Sequence, residues 1–281
     1  NQNCWRECRV NFLEEEGGYL VRRLSGGGAV FHDLGNLNFT FIVRKPDYDV
    51  DRQLQVILEA VRRLGIQAEK TGRNDITVEG RKFSGNAFYQ TGDCCYHHGT
   101  LLVHADKENM SRYLNVPREK LASKGVSSVK SRVANLDEFC PGLTVDRVKA
   151  ALAEAFSQVY GQVAEKMEEK ELPEDAIGPL TQKFESWQWK YGRKIPFEHE
   201  MEQRFAWGGI QMQFHVDEGK IREVNVFSDA MEQEMIGDLA VCLKGCPYDE
   251  AAVCGGMEKV GRAHGEGAKI SDIITLVKEC M

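Results

Sequence analysis

The chain has 281 residues, 42% hydrophobic and 28% charged, with a net charge of −7, which suits a globular protein of one large domain or two ordinary ones. The acidic balance argues against a general nucleic-acid binder, and no run of about 18 apolar residues predicts a membrane-spanning helix. The opening NQNCWRECRV lacks the apolar stretch of a signal peptide, so a cytoplasmic chain is expected.

Residues 1–45 alternate short apolar runs with glycine-rich breaks, and LNFTFIV (37–43) has the β-branched and aromatic density of a strand. Leu54, Ile57, Leu58, Val61 and Leu64 then recur at helical spacing over 50–65, with Gly65 as a stop. NDITVEGRKFSGNAFYQ (74–90) predicts a hairpin turning at Glu79-Gly80, and HHGTLLVHAD (97–106) a further strand. Together these predict an α/β or α+β domain with a mainly antiparallel or mixed sheet.

A helix is predicted over 144–169, with Thr144 as N-cap, followed by a charged, proline-punctuated connection at 165–179. From about 198 the texture changes to alternating apolar and polar residues. Two or three strands are expected over 204–229 with a Glu218-Gly219 turn, then helices at 231–244, 248–260 and 271–280. That second unit, about 80 residues long, is within the size range that folds alone. The nine cysteines include two C-x3-C pairs, neither with the C-x2-C spacing of a zinc site, so reduced thiols are expected.

Three stretches carry chemistry. In RRLSGGGAVFHD (22–33), glycines expose backbone N–H groups and arginines add charge, as an anion cradle would. The pattern matches neither standard nucleotide loop, and a tight turn accounts for the glycines equally well. In GRNDITVEGRKFSGNA (72–87), Lys82 lies on a predicted strand among apolar and small residues, where a buried ammonium needs an anion. Asn74 and Asp75 offer oxygen ligands of the kind Mg²⁺ takes alongside phosphates; a polar turn is the plainer reading. In KGVSSVKSRVANL (124–136), Lys124, Lys130 and Arg132 form a basic segment that could hold an anion or simply face solvent.

Taken in order, these stretches, with HHGTLLVHAD, FESWQWKYGRKIPF (184–197) and RFAWGGIQMQFHVDEGKI, closely resemble lipoate–protein ligases of the A type along essentially the whole chain. The resemblance implies an α+β fold. A mixed, mainly antiparallel sheet of the biotin/lipoate ligase type would occupy residues 1–197, and a small α+β accessory domain residues 198–281. It implies activation of lipoate by ATP with Mg²⁺ to lipoyl-adenylate, then transfer to a lysine of an acceptor domain. The acceptors would be lipoyl domains of 2-oxoacid dehydrogenase acyltransferase subunits or the glycine cleavage carrier protein.

By the same resemblance, Lys82 would be catalytic, touching both the lipoate carboxylate and the α-phosphate. Arg23, Gly28, Ala29, Val30, Phe31, Asn74, Asp75, Lys124 and Arg132 would bind ATP or adenylate, with Asn74 and Asp75 near Mg²⁺. Ser25, Gly27, Gly28, His32, Ser84, Ala87 and His98 would line the lipoate site, with Thr100 a further wall residue. Val21, Val30, Phe39 and Phe88 are candidates for an apolar tunnel around the lipoyl chain. The family ordinarily has a segment before the position where NQNCWRE begins, so this chain is expected to lack part of the catalytic core.

Two other readings compete. Cys94-Cys95, expected in a hairpin loop, could serve a lipoyl or octanoyl transferase through a cysteine acyl-enzyme. Alternatively, the chain could use only preformed adenylate, or bind carrier domains without catalysis.

Overall fold

A computed structural model describes residues 2–71, 74–115, 132–192 and 195–281. Its contacts divide the chain into two compact units, one holding Cys8–Tyr19 and Val30–Gln182, the other Asn1–Glu7, Leu20–Ala29 and Lys183–Met281.

The first unit is built on five strands. In chain order it contains β1 (Asn36–Arg44), α1 (Val50–Arg63), β2 (Glu69–Thr71), β3 (Asp75–Val78), β4 (Arg81–Thr91), β5 (Cys94–Leu102), α2 (Lys107–Tyr113) and α3 (Val145–Tyr160). Every strand pair is antiparallel, in the order β1-β5-β4-β3-β2. Alternation along β1 sorts the two faces of the sheet: Leu37, Phe39, Phe41 and Val43 are partly buried, while Asn38, Thr40 and Ile42 are exposed. The inward face joins Leu54, Ile57 and Val61 of α1 and Val148 of α3 in one core with Ile76, Phe83 and Leu101. Asp49 caps α1 by accepting from the Arg52 N–H, and Thr144, the expected N-cap, caps α3 by accepting from the Arg147 N–H.

Turn chemistry fixes the register. Glu79 and Gly80 both have positive φ (49° and 72°), the two-residue connection whose twist matches a hairpin, and Glu218-Gly219 repeat it (50° and 70°). Three expectations need correction. Helix α3 stops at Tyr160, not 169, because Gly161 takes the left-handed cap conformation (φ 68°). Part of the supposed connection is helical, Glu174–Glu185, with Pro179 inside it. It starts immediately after Pro173, whose carbonyl accepts from the Ala176 and Ile177 N–H groups, so this proline opens a helix instead of breaking it. Finally, Gly92 and Asp93 form the β4–β5 turn, which places Cys94 and Cys95 in strand β5 and not in a loop.

The second unit carries an antiparallel meander, β6 (His199–Phe205), β7 (Gly208–Asp217) and β8 (Lys220–Ser228), followed by α4 (Gln233–Leu243), α5 (Glu250–His264) and α6 (Gly267–Cys280). Met201, Ile210, Met212 and Phe214 from the strands meet Leu239, Met257 and Ile273 from the helices in its core. None of the nine cysteines is in a disulfide, and among the described residues no helix is long and apolar enough to cross a membrane.

Candidate active site

Lys82 owes its position to an irregularity in β4. Ile76 pairs with Ser84 but Thr77 pairs with Lys82, so Phe83 is an extra residue, a β-bulge. Strict alternation would put Lys82 on the face of Ser84 and Asn86; the bulge turns it to the other face. There its side chain lies across Gly85, where a Cβ would come within 2.7 Å of Nζ, beside the Thr100 hydroxyl that accepts from the Gly85 N–H at 3.3 Å. A Cβ at 85 would displace the end of the Lys82 side chain, so glycine leaves the ammonium its place, and nothing in the backbone conformation asks for it.

Asp75, opposite Gly85 on β3, shares this face. Lys82 Nζ stands 2.6 Å from Asp75 Oδ1, an ion pair, while Arg132 Nη2 donates to Asp75 Oδ2 at 3.0 Å. Arg132 reaches it because Val133 bridges in parallel to Lys82 and the Ala134 N–H donates to the Lys82 carbonyl at 2.9 Å. Burial pushes the Asp75 carboxyl up, but the charges of Lys82 and then Arg132 outweigh it and hold the group below the usual carboxylate range. Among the described residues the locus therefore holds two cations and one anion, a net positive charge on the face of the sheet opposite its core. Ala87, His98 and Thr100 share that face by strand alternation.

Ser84 does not. It is fully buried on the inward face, and its hydroxyl has no partner among the described residues, so the structure separates it from the expected lipoate wall. Asn74 is held by Asn86: its Nδ2 donates to the Asn86 carbonyl at 3.0 Å, and its own carbonyl accepts from the Asn86 N–H at 2.9 Å. Both Asp75 oxygens face cations, so a Mg²⁺ ion at Asn74-Asp75 would compete with them for the carboxylate. Among the described residues no group of three His, Cys, Asp or Glu is placed to hold a metal. Asn74 and Asp75 as they stand are not a preformed Mg²⁺ site.

The glycine stretch divides between the units. Arg23, Ser25, Gly27, Gly28 and Ala29 group with the second unit, and Val30, Phe31 and His32 with the first. Arg23 ties its own loop together, Nε donating to Ser25 Oγ at 3.0 Å and Nη2 to the carbonyls of Gly26 (2.7 Å) and Gly28 (3.0 Å). Gly26 is packed so closely that a Cβ would lie 2.5 Å from the Ala230 carbonyl, and Gly27 has φ 96°. In the first unit, Phe31 stacks on Tyr113 with centroids 5.6 Å apart, and His32 Nδ1 meets the Asn36 amide at 2.7 Å. Asp33 is structural, accepting from the N–H groups of Gly35 (2.9 Å) and Asp106 (2.7 Å). Of the tunnel candidates, Val21 and Val30 are 75% and 50% exposed, whereas Phe39 and Phe88 pack on the buried His97. Lys124 lies outside the described residues.

Cys94 and Cys95 sit far from Lys82. Cys94 pairs with Thr91, nine residues along β4, and at about 3.3 Å per residue this amounts to roughly 30 Å. A cavity of about 370 Å³ in the second unit, lined by His199, Tyr248, Asp249, Glu250, Cys280 and Met281, contains none of the expected site residues.

Residues 1–157 match the lipoyl protein ligase A/B catalytic domain, and residues 194–277 the bacterial lipoate protein ligase C-terminus. Among solved structures, LipL1 from P. falciparum in complex with lipoate is 28% identical, with a TM-score of 0.81 over 98% of this chain and 82% of that one. A bi-partite lipoate protein ligase from Thermoplasma acidophilum, studied with its E2 lipoyl domain, is 30% identical (TM-score 0.58), covering 69% of this chain and 79% of that one. Lipoate-protein ligase A bound with ATP is 27% identical (TM-score 0.57), covering 68% and 79% respectively. These agreements bear out the α+β ligase fold with its C-terminal domain, and the chain belongs to the lipoyl protein ligase A/B family.

Proposed function

We propose that this chain activates lipoate with ATP to lipoyl-adenylate and passes the lipoyl group to a lysine of a lipoyl acceptor domain. In this reading residues 1–197 perform the chemistry and 198–281 form an accessory domain. The observation that carries it is the net-positive cluster of Lys82, Arg132 and Asp75, set by a bulge on the face of the sheet opposite its core. The ATP-bound and lipoate-bound relatives support the two substrates, and the relative studied with an E2 lipoyl domain supports the acceptor class.

In the first step a lipoate carboxylate oxygen attacks the α-phosphorus, the bond to the bridging β-oxygen breaks, and pyrophosphate leaves. Two anions must approach each other, and a unit charge about 4 Å away in a partly buried site is worth about 4 kcal/mol before desolvation. In this reading Lys82 neutralises both, with Arg132 retaining the Asp75 carboxylate as Lys82 turns to substrate. In the second step the uncharged acceptor amine attacks the acyl carbonyl, the amide forms, AMP departs with the bonding electrons, and the amine loses its proton. Alignment supplies much of that rate, and no protein nucleophile is needed. When bound, Mg²⁺ would offset phosphate charge.

The test measures lipoate-dependent exchange of pyrophosphate into ATP, lipoyl-AMP by mass spectrometry, and lipoylation of an apo lipoyl domain. Lys82→Ala is expected to lower exchange at least 10²–10³-fold while the circular dichroism spectrum is unchanged. Near-normal exchange in that variant would remove Lys82 from its role. Transfer from preformed lipoyl-AMP without any exchange by the wild type would make the chain a transferase instead.

A further inference from the structure

Behind the Lys82 cluster, on the inward face of β4 and β5, lies a buried polar chain that the ligase chemistry does not itself call for. His97 is fully buried, ringed by Phe39, Phe41 and Phe88 at centroid distances of 5.5, 5.8 and 4.9 Å. Its Nδ1 stands 3.1 Å from Gln53 Oε1 of α1, and its Nε2 stands 2.8 Å from Asn86 Oδ1 of β4. Gln53 is fully buried too, and its Nε2 has no partner among the described residues.

Two oxygens facing the two ring nitrogens would require a doubly protonated imidazolium. Burial opposes that, aided by repulsion from His98, and pushes the ring down to about 4. Turning the Gln53 amide by 180° resolves the conflict, because its oxygen and nitrogen occupy equivalent positions. The orphaned Nε2 then donates to His97 Nδ1, and His97 Nε2–H donates to Asn86 Oδ1.

Asn86 is in turn the clamp on the start of β3. Its N–H and Nδ2 both donate to the Asn74 carbonyl, at 2.9 and 3.1 Å, and its carbonyl accepts from Asn74 Nδ2 at 3.0 Å. Asn74 immediately precedes Asp75. Gly99 leaves the room for this clamp, since a Cβ there would lie 2.8 Å from Asn86 Oδ1 and 2.6 Å from Phe39 Cζ.

We propose that His97 is a positioning residue for the Lys82 site: held by Gln53 as the Nε2–H tautomer, it orients Asn86, which fixes Asn74 and so the place where Asp75 meets Lys82 and Arg132. Its effect on rate rests on the ligase reading above; its effect on structure does not. Three measurements on the full chain test it. The imidazole ¹⁵N spectrum at pH 7 is expected to show His97 protonated at Nε2 alone, and an Nδ1–H or doubly protonated ring would overturn the proposal. His97→Phe keeps the aromatic packing and is expected to accelerate hydrogen exchange of the Asn86 amide more than tenfold, while the amides pairing β1 with β5 are unchanged. Equal acceleration throughout the sheet would mean that His97 is only core.

For rate, His97→Phe is expected to lower kcat of pyrophosphate exchange about 10- to 100-fold at little change in KM, with part restored in His97→Gln, whose amide regenerates the donor. The double variant with Asn86→Ala is expected to be no slower than Asn86→Ala alone. A His97→Phe chain with wild-type kcat would overturn the proposal. A wild type without exchange would fault the ligase reading, leaving the tautomer and the Asn86 amide to decide this one.

Discussion

Two residues behind the candidate catalytic lysine set its position and its environment. Gly85 has no Cβ because the Lys82 ammonium occupies that space, so Gly85→Ala is expected to push the ammonium off Asp75. Exchange activity should then fall at least tenfold while the melting temperature changes little, and a fully active Gly85→Ala would show that Lys82 tolerates another path. His97 shows itself differently, through acid stability. Its folded value of about 4 lies below the ordinary 6.5, so the unfolded chain takes up this proton first. The stability concerned is fully present above about pH 6.5 and drains away as pH falls toward 4, by about 3 kcal/mol. Asp75, held below the usual carboxylate range, loses its contribution only at still lower pH. Urea unfolding between pH 6.5 and 4 should therefore show a shallower pH dependence in His97→Gln than in the wild type.

At the scale of strands and helices, alternation and capping were legible and the bulge was not. The stripe of Leu54, Ile57 and Val61 predicts α1, and Glu79-Gly80 and Glu218-Gly219 predict both hairpin turns, because these signals depend on neighbours in sequence. The extra residue at Phe83 leaves no local mark, since Lys82-Phe83-Ser84-Gly85 reads as an unbroken strand. Only the pairing partner reveals it, and with it the placing of Lys82 outward and Ser84 inward. Phe83 is fully buried in the core of the five-strand unit, so Phe83→Ala is expected to cost about 3–5 kcal/mol in chemical denaturation. A cost below about 1 kcal/mol would mean that the bulge is not anchored by this side chain. His97 escaped sequence reading for a related reason: of two adjacent histidines, strand parity buries one in the core and turns the other, half-buried, to the opposite face, and only the register tells which.

For the whole molecule, connectivity matters more than chain order. Leu20–Ala29 precedes every strand of the five-strand unit, yet it groups with Lys183–Met281. The reason is local to that unit: Gly26 lies against the Ala230 carbonyl too closely for any side chain, and the Gly27 N–H donates to the same carbonyl at 3.4 Å. No sequence pattern joins positions 26 and 230, so the triplet reads only as a turn or an anion cradle until the fold is known. A chain ending at residue 197 would lose this partner although it keeps every residue of the glycine stretch. The prediction is that residues 1–197 alone are cleaved by protease within 20–29 and have little exchange activity. Residues 198–281 contain the meander, three helices and most of the core of the second unit, and should restore both protection and activity when added in trans. Full activity and a protected Gly27 amide in the truncated chain would show that the accessory segment does not hold the glycine stretch.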